Sequence, residues 1–211
     1  MADSKKVIQI LQEIAHKIEA EKDFLTKLDQ PIGDSDHGIN MARGFGEVEK
    51  KLPTLEGKDI GTILKTVGMT LVSTVGGASG PLYGSAFLKA GIACAGKEEL
   101  DLSEFLSVLE TATEAVKQRG KSTTEEKTML DAMVPSLEAM HTKLEEGGDA
   151  KAVLSAGVDA AWKGVEHTKD LVATKGRASY VGERGIGHQD PGATSATITL
   201  EAIRDFYLEN K

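Results

Sequence analysis

The chain has 211 residues, 40% of them hydrophobic and 27% charged, and a net charge of −8; these values exclude a disordered polymer and suffice for one core, hardly for two. The acidity argues against nucleic acid as a partner, since phosphate backbones are met by basic surfaces, but it admits a small phosphorylated ligand whose charge a divalent cation offsets. A lone cysteine, Cys94, an N-terminus of no signal type and the lack of any run near ~18 apolar residues predict one cytoplasmic domain over 1–211, with no membrane partner.

Val7, Leu11, Ile14 and Ile18, flanked by Ile8 and Ala15, form one helical stripe, with Ser4 or Asp3 as N-cap. A second helix is expected from about Gly38 to before Pro53, burying Met41, Phe45, Val48 and Leu52. A third fits Asp59 to Val75, with Ile60, Ile63, Leu64, Val67, Leu71 and Val72 inward. After the break Gly76-Gly77-Ala78-Ser79-Gly80, Pro81 opens a fourth, Leu82 to Ala95. Helices follow at Ser103–Arg119, Thr128–Leu144 and Asp149 to about Leu171, and Pro135 should kink the sixth or shift its register. Residues 173–190 are glycine-rich without a period and read as a long functional loop. Asp190 then caps a last helix that has Pro191 at its first position and runs to about Leu208. Thr194, Ser195, Thr197, Ile198 and Thr199 could favour a strand, but one strand would lack a partner. The expected fold class is all-α, about eight antiparallel helices forming a barrel or bundle.

The most informative segment is Asp29-Gln30-Pro31-Ile32-Gly33-Asp34-Ser35-Asp36-His37-Gly38-Ile39-Asn40. Asp29, Asp34 and Asp36 lie between two helices, around a proline and glycines that permit sharp turns. Carboxylates ~4 Å apart repel by about 1 kcal/mol in water and by several at protein-like dielectric, so a converging set calls for a cation. Hard oxygens suit Mg²⁺, which keeps waters and takes phosphate oxygens as further ligands. His37, Gly38, Ile39 and Asn40 would open the second helix, where free amides and the dipole favour phosphate. The bland alternative is a solvent-facing turn with an N-cap.

Better-known motifs fail here. An EF-hand from Asp34 would need an acid where Phe45 stands and a glycine where Ile39 stands. A phosphatase-type Asp-x-Asp would follow an apolar strand. Gly120-Lys121-Ser122 lacks the preceding strand and the first P-loop glycine, replaced by Ala115. His16, His141 and His167 have no acidic cluster around them in sequence.

Three other polar loops could complete a nucleotide site. Gly76 to Pro81 could admit phosphate to backbone amides, or merely serve helix packing. Lys175-Gly176-Arg177-Ala178-Ser179-Tyr180 supplies a guanidinium fork, or an ordinary surface cation. Gly187-His188-Gln189-Asp190-Pro191-Gly192 could bond a nucleotide or only cap the helix. In an antiparallel bundle, the alternate connections 29–40, 76–80, 119–128 and 173–190 gather at one end, which predicts a composite site at one rim.

Together, Ile32 to Asn40, Gly76 to Pro81, Lys175 to Tyr180 and Gly187 to Ser195 resemble, in order along nearly the whole chain, the signature of dihydroxyacetone kinase L subunits. The resemblance implies an eight-helix barrel capped at one end by ADP or ATP, with two Mg²⁺ ions held by Asp29, Asp34 and Asp36. It implies nucleotide contacts from His37, Gly38, Ile39, Asn40, Ala78, Ser79, Gly120, Met129, Arg177, Asp190 and Pro191. It supplies no covalent nucleophile, and Arg177 would assist as a charge stabiliser. It further implies a phosphotransferase subunit active only with partners: a K subunit carrying dihydroxyacetone and a phosphotransferase-system M subunit that rephosphorylates retained ADP. Two alternatives stay open: an ATP-using kinase subunit for another small hydroxylated substrate, and a nucleotide-sensing partner of a transcription regulator.

Overall fold

The structure, a computed structural model, describes residues 1–210. Among them are nine α-helices: α1 Ser4–Ala20, α2 Lys22–Asp29, α3 His37–Lys51, α4 Ile60–Thr74, α5 Ser79–Ala93, α6 Leu102–Gly120, α7 Leu130–Glu145, α8 Ala150–His167 and α9 Pro191–Glu209. Several begin where the sequence places an acceptor side chain. Asp3, Asp59, Asp149 and Asp190 each accept a first-turn amide, and Asp101 with Glu104 forms a reciprocal capping box. Asp3, not Ser4, caps α1, whose stripe Val7, Leu11, Ile14, Ala15 and Ile18 is buried.

Each helix packs on the next, and α9 returns to α1, closing a ring around two apolar clusters bridged by Trp162 and Ile203. The ninth helix does not disturb the expected alternation. Only Glu21 separates α2 from α1, both pack on α3 and α9, and they touch each other little. They form one broken stave, so the ring has eight. The starts of α3, α5 and α9 meet at one end through His37, Ser79 and Ser195. At the other end the short strands β1 (Ala2–Asp3) and β2 (Glu99–Leu100) pair antiparallel, joining the start of α1 to that of α6. No helix among the described residues is long and apolar enough to cross a membrane.

Other expectations need correction. Val72 is 47% exposed at the edge of the α4–α5 contact instead of buried. Helix α8 ends at His167, short of Leu171, with a short 3-10 turn, Thr168–Asp170, continuing it; Pro135 lies within the span of α7. The last helix runs through the threonine-rich stretch as expected, and Thr194, Thr197 and Thr199 satisfy their hydroxyls on the carbonyls of Asp190, Ala193 and Ser195. The 173–190 loop holds two 3-10 turns, Arg177–Tyr180 and Gly182–Gly185.

Candidate functional site

Asp29 ends α2 and is 8% exposed. Its Oδ2 accepts from the amides of Asp36 at 2.9 Å and His37 at 3.3 Å, which folds the turn back on itself. Ser35 takes a left-handed φ of 61° to make that return. Any side chain at Gly33 would stand 1.9 Å from Asp29 Oδ1, so the acid occupies the space a Cβ would need. Gly38 likewise lets α3 start against α2, where a Cβ would lie 2.0 Å from the Lys22 carbonyl.

Those contacts bring one oxygen each of Asp29, Asp34 and Asp36 within 4.8 Å of one another. Three hard oxygen donors so placed, one buried and two facing outward, fit a divalent cation better than mutual contact. Arg177 Nε donates to Asp34 Oδ2 at 2.7 Å from a side chain 71% exposed, so the guanidinium reaches the acids from the 173–190 loop.

The neighbouring elements converge on the same turn. His37, 8% exposed, places Nδ1 3.3 Å from Ser79 Oγ at the start of α5 and Nε2 3.0 Å from Ser195 Oγ in α9. Burial lowers its pKa against the opposing pull of Asp29 and Asp36, which keeps the ring uncharged at neutral pH. Asn40 is buried, accepts from Arg43 Nη2 at 2.7 Å, and lies beneath Gly76, where a Cβ would meet its Oδ1 at 2.7 Å. Ile39 is 47% exposed beside it, and Ala78 is exposed at the cap position of α5. Asp190 and Pro191 begin α9, and burial pushes the Asp190 carboxyl up to about 7.

The remaining expected positions flank the 121–128 loop: Gly120 ends α6 beside Leu82 and Ser122, and Met129 is buried at the cap position of α7. This loop is strained, with left-handed φ at Lys121 (47°), Glu125 (67°) and Lys127 (58°). Its hydrogen bonds explain how it persists. Lys127 is 2% exposed and donates to the carbonyls of Thr168, Leu171 and His188. Glu126 accepts from Ser122, Thr123 and Thr174; the Ser122 hydroxyl contributes most to holding its pKa down at about 2. Asp131 accepts the amides of Glu125 and Thr128. The expected gathering of four connections is therefore present: 29–40 touches 76–80 through His37 and Asn40, and touches 173–190 through Arg177; 119–128 is tied to 168–190 through Lys127.

Lys127, Glu126, Asp131 and Tyr83 are not singled out by the sequence, and Ser195 enters it only as the end of a matching stretch. Their partners lie 41 to 158 positions away or within the strained 121–128 turn, so no local spacing signals them. Chemically, the rim offers an acid trio for a cation, helix starts and hydroxyls for anionic oxygens, and the exposed guanidinium of Arg177.

A DAK2 domain family model matches residues 31–205. The chain is 45% identical over 183 residues to the PEP-dependent dihydroxyacetone kinase ADP-binding subunit DhaL of Escherichia coli K12, covering 87% of both. It is 44% identical over 196 residues to the PTS-dependent dihydroxyacetone kinase ADP-binding subunit DhaL of Lactococcus lactis, covering 93% of this chain and 94% of that one. In fold it is similar to the dihydroxyacetone kinase of C. freundii, with a TM-score of 0.75 at 24% identity, covering 97% of this chain. The likeness spans about a third of that kinase, 35%.

Proposed function

The chain belongs to the DAK2 domain family, and on that premise we propose that it is the ADP-binding subunit of a phosphotransferase-type dihydroxyacetone kinase. In this reading it receives a phosphoryl group from a phosphotransferase-system M subunit and passes it to dihydroxyacetone on a K subunit. It is active only with those partners, works in the cytoplasm, and folds as one domain over 1–211. The names and identities of the DhaL relatives support this assignment.

One observation carries the chemistry: Asp29, Asp34 and Asp36 converge within 4.8 Å beside the amino end of α3. We assign two Mg²⁺ ions to that trio; when bound, they supply charge neutralisation at the nucleotide phosphates. The chain's own groups bind and orient. His37, Gly38, Ile39 and Asn40 present the start of α3 to phosphate oxygens, with Ala78 and Ser79 from α5 alongside. Gly120, Met129, Asp190 and Pro191 supply further nucleotide contacts. Arg177, largely exposed beside Asp34, stabilises charge during transfer.

Native mass spectrometry of the purified chain should show retained ADP with two Mg²⁺. Asp36→Ala should lose at least about tenfold in ADP affinity, since it removes a charged ligand, with unchanged far-UV circular dichroism. ADP association unaffected by EDTA would defeat the reading. Fast ATP turnover with the K subunit alone would instead make it an ATP-using kinase subunit.

A further inference from the structure

Beneath the phosphate-facing turn runs a chain of hydroxyls that the acids and the guanidinium do not use. Tyr83, 4% exposed in α5, places its hydroxyl 2.7 Å from Ser195 Oγ. Ser195, fully buried in α9, lies 3.0 Å from His37 Nε2 and 3.1 Å from its own-helix carbonyl of Gly192. His37 Nδ1 lies 3.3 Å from the hydroxyl of Ser79, which is only partly buried and opens on the site. We infer that Tyr83 and Ser195 are positioning residues that turn the Ser79 hydroxyl into a hydrogen-bond donor toward a bound phosphate. This rests on the nucleotide-binding reading above.

The hydrogens along this chain can be counted. A hydroxyl carries one, and an uncharged imidazole carries one ring hydrogen. Tyr83 has Ser195 Oγ as its hydrogen-bond partner, so the phenol hydrogen goes there. The Ser195 hydrogen then has two acceptors in reach. Directed at the Gly192 carbonyl, it requires the His37 hydrogen on Nε2, leaves Nδ1 an acceptor, and takes up the Ser79 hydrogen. Ser79 would then face an anionic oxygen with lone pairs. Directed at Nε2, it puts the His37 hydrogen on Nδ1, which donates to Ser79 and frees the Ser79 hydrogen for phosphate. A phosphate at this rim selects the second arrangement. The Tyr83 phenol supports it by satisfying Ser195 Oγ as an acceptor, which otherwise takes that hydrogen from His37 Nε2.

Tyr83→Phe keeps the ring in place and removes only the donor. It should weaken ADP binding in saturating Mg²⁺ by roughly tenfold, the range for one hydrogen bond to a charged group. In a Ser79→Ala background the same change should cost nothing further, because the hydroxyl it acts through is gone. A packing role would make the two losses add, and that outcome overturns the inference. Histidine ¹⁵N spectra of the unaltered chain give a second readout that needs no variant. On adding ADP and Mg²⁺, His37 should shift toward the Nδ1–H tautomer; a ring that stays Nε2–H with nucleotide bound overturns it. Wild type that binds no ADP would sink the nucleotide reading itself, whereas Tyr83→Phe equal to wild type sinks this inference alone.

Discussion

Asp190 shows how one side chain can be legible in role and hidden in energetics. The Asp-Pro pair announces an N-cap, and Asp190 Oδ2 does accept from the Ala193 amide at 2.7 Å. What the pair does not announce is enclosure by Thr168, Lys127 and the acids Asp131 and Asp29, because those arrive from three other connections. Burial pushes the carboxyl up to about 7, opposed by Ala193 and Lys127. The unfolded chain releases this proton near pH 4. Between about pH 4 and 7 the native state therefore binds more protons than the unfolded one, and stability falls as pH rises through that window. Above it the penalty is constant. Asp190→Asn keeps the capping acceptor without a charge. Free of nucleotide and metal, it should be more stable than wild type by roughly 2 kcal/mol at pH 8, with the gap closing toward pH 4. Urea unfolding at both pH values measures this, and parallel pH profiles for the two proteins would refute it.

At the scale of elements, the glycines separate those set by packing from those without a contact. Pro135 has no amide to give the Asp131 carbonyl, so α7 carries an unpaired acceptor within an unbroken helix. Helix α8 approaches that carbonyl so closely that a Cβ on Gly164 would stand 2.0 Å from it. The crossing thus brings α8 onto the turn that precedes Pro135, a fit between two staves that periodicity within either cannot reveal. Gly164→Ala must push α8 off backbone atoms and should cost about 2–3 kcal/mol. A Cβ on Gly46, in α3, would meet nothing within 4 Å, and Gly46→Ala should stabilise by about 0.5–1 kcal/mol. Denaturant midpoints for the two variants should move in opposite directions; a stabilising Gly164→Ala would show that the helix crossing is loose. The same reasoning explains what the apolar stripes did and did not deliver. They place α1, α3 and α4 closely, but Val72 ends 47% exposed at the α4–α5 seam, where its Cγ2 lies against Gly84. Helix α2 escapes the stripe reading because its buried residues are only Leu25 and Asp29.

For the molecule as a whole, the even number of staves was the legible quantity. It brings 29–40, 76–80, 119–128 and 168–190 to one rim, and α2 leaves the count intact by extending α1. The fine fit of that rim was not legible, since it depends on left-handed turns and on one buried lysine spanning three carbonyls. A ligand that touches all four connections binds a surface the unfolded chain does not possess, so its binding energy adds to folding stability. At a hundred times Kd that amounts to about 2.7 kcal/mol, or roughly 5–10 °C in Tm for a chain of this size. Because the acid trio repels itself without a cation, the shift should require metal. ADP with Mg²⁺ should raise Tm by that amount, ADP with EDTA by little, and Asp36→Ala should cut the Mg²⁺-dependent rise by about half or more at the same ADP concentration. An equal rise with EDTA would mean that the nucleotide is held by the helix starts and hydroxyls alone, leaving the carboxylates no part in anchoring it.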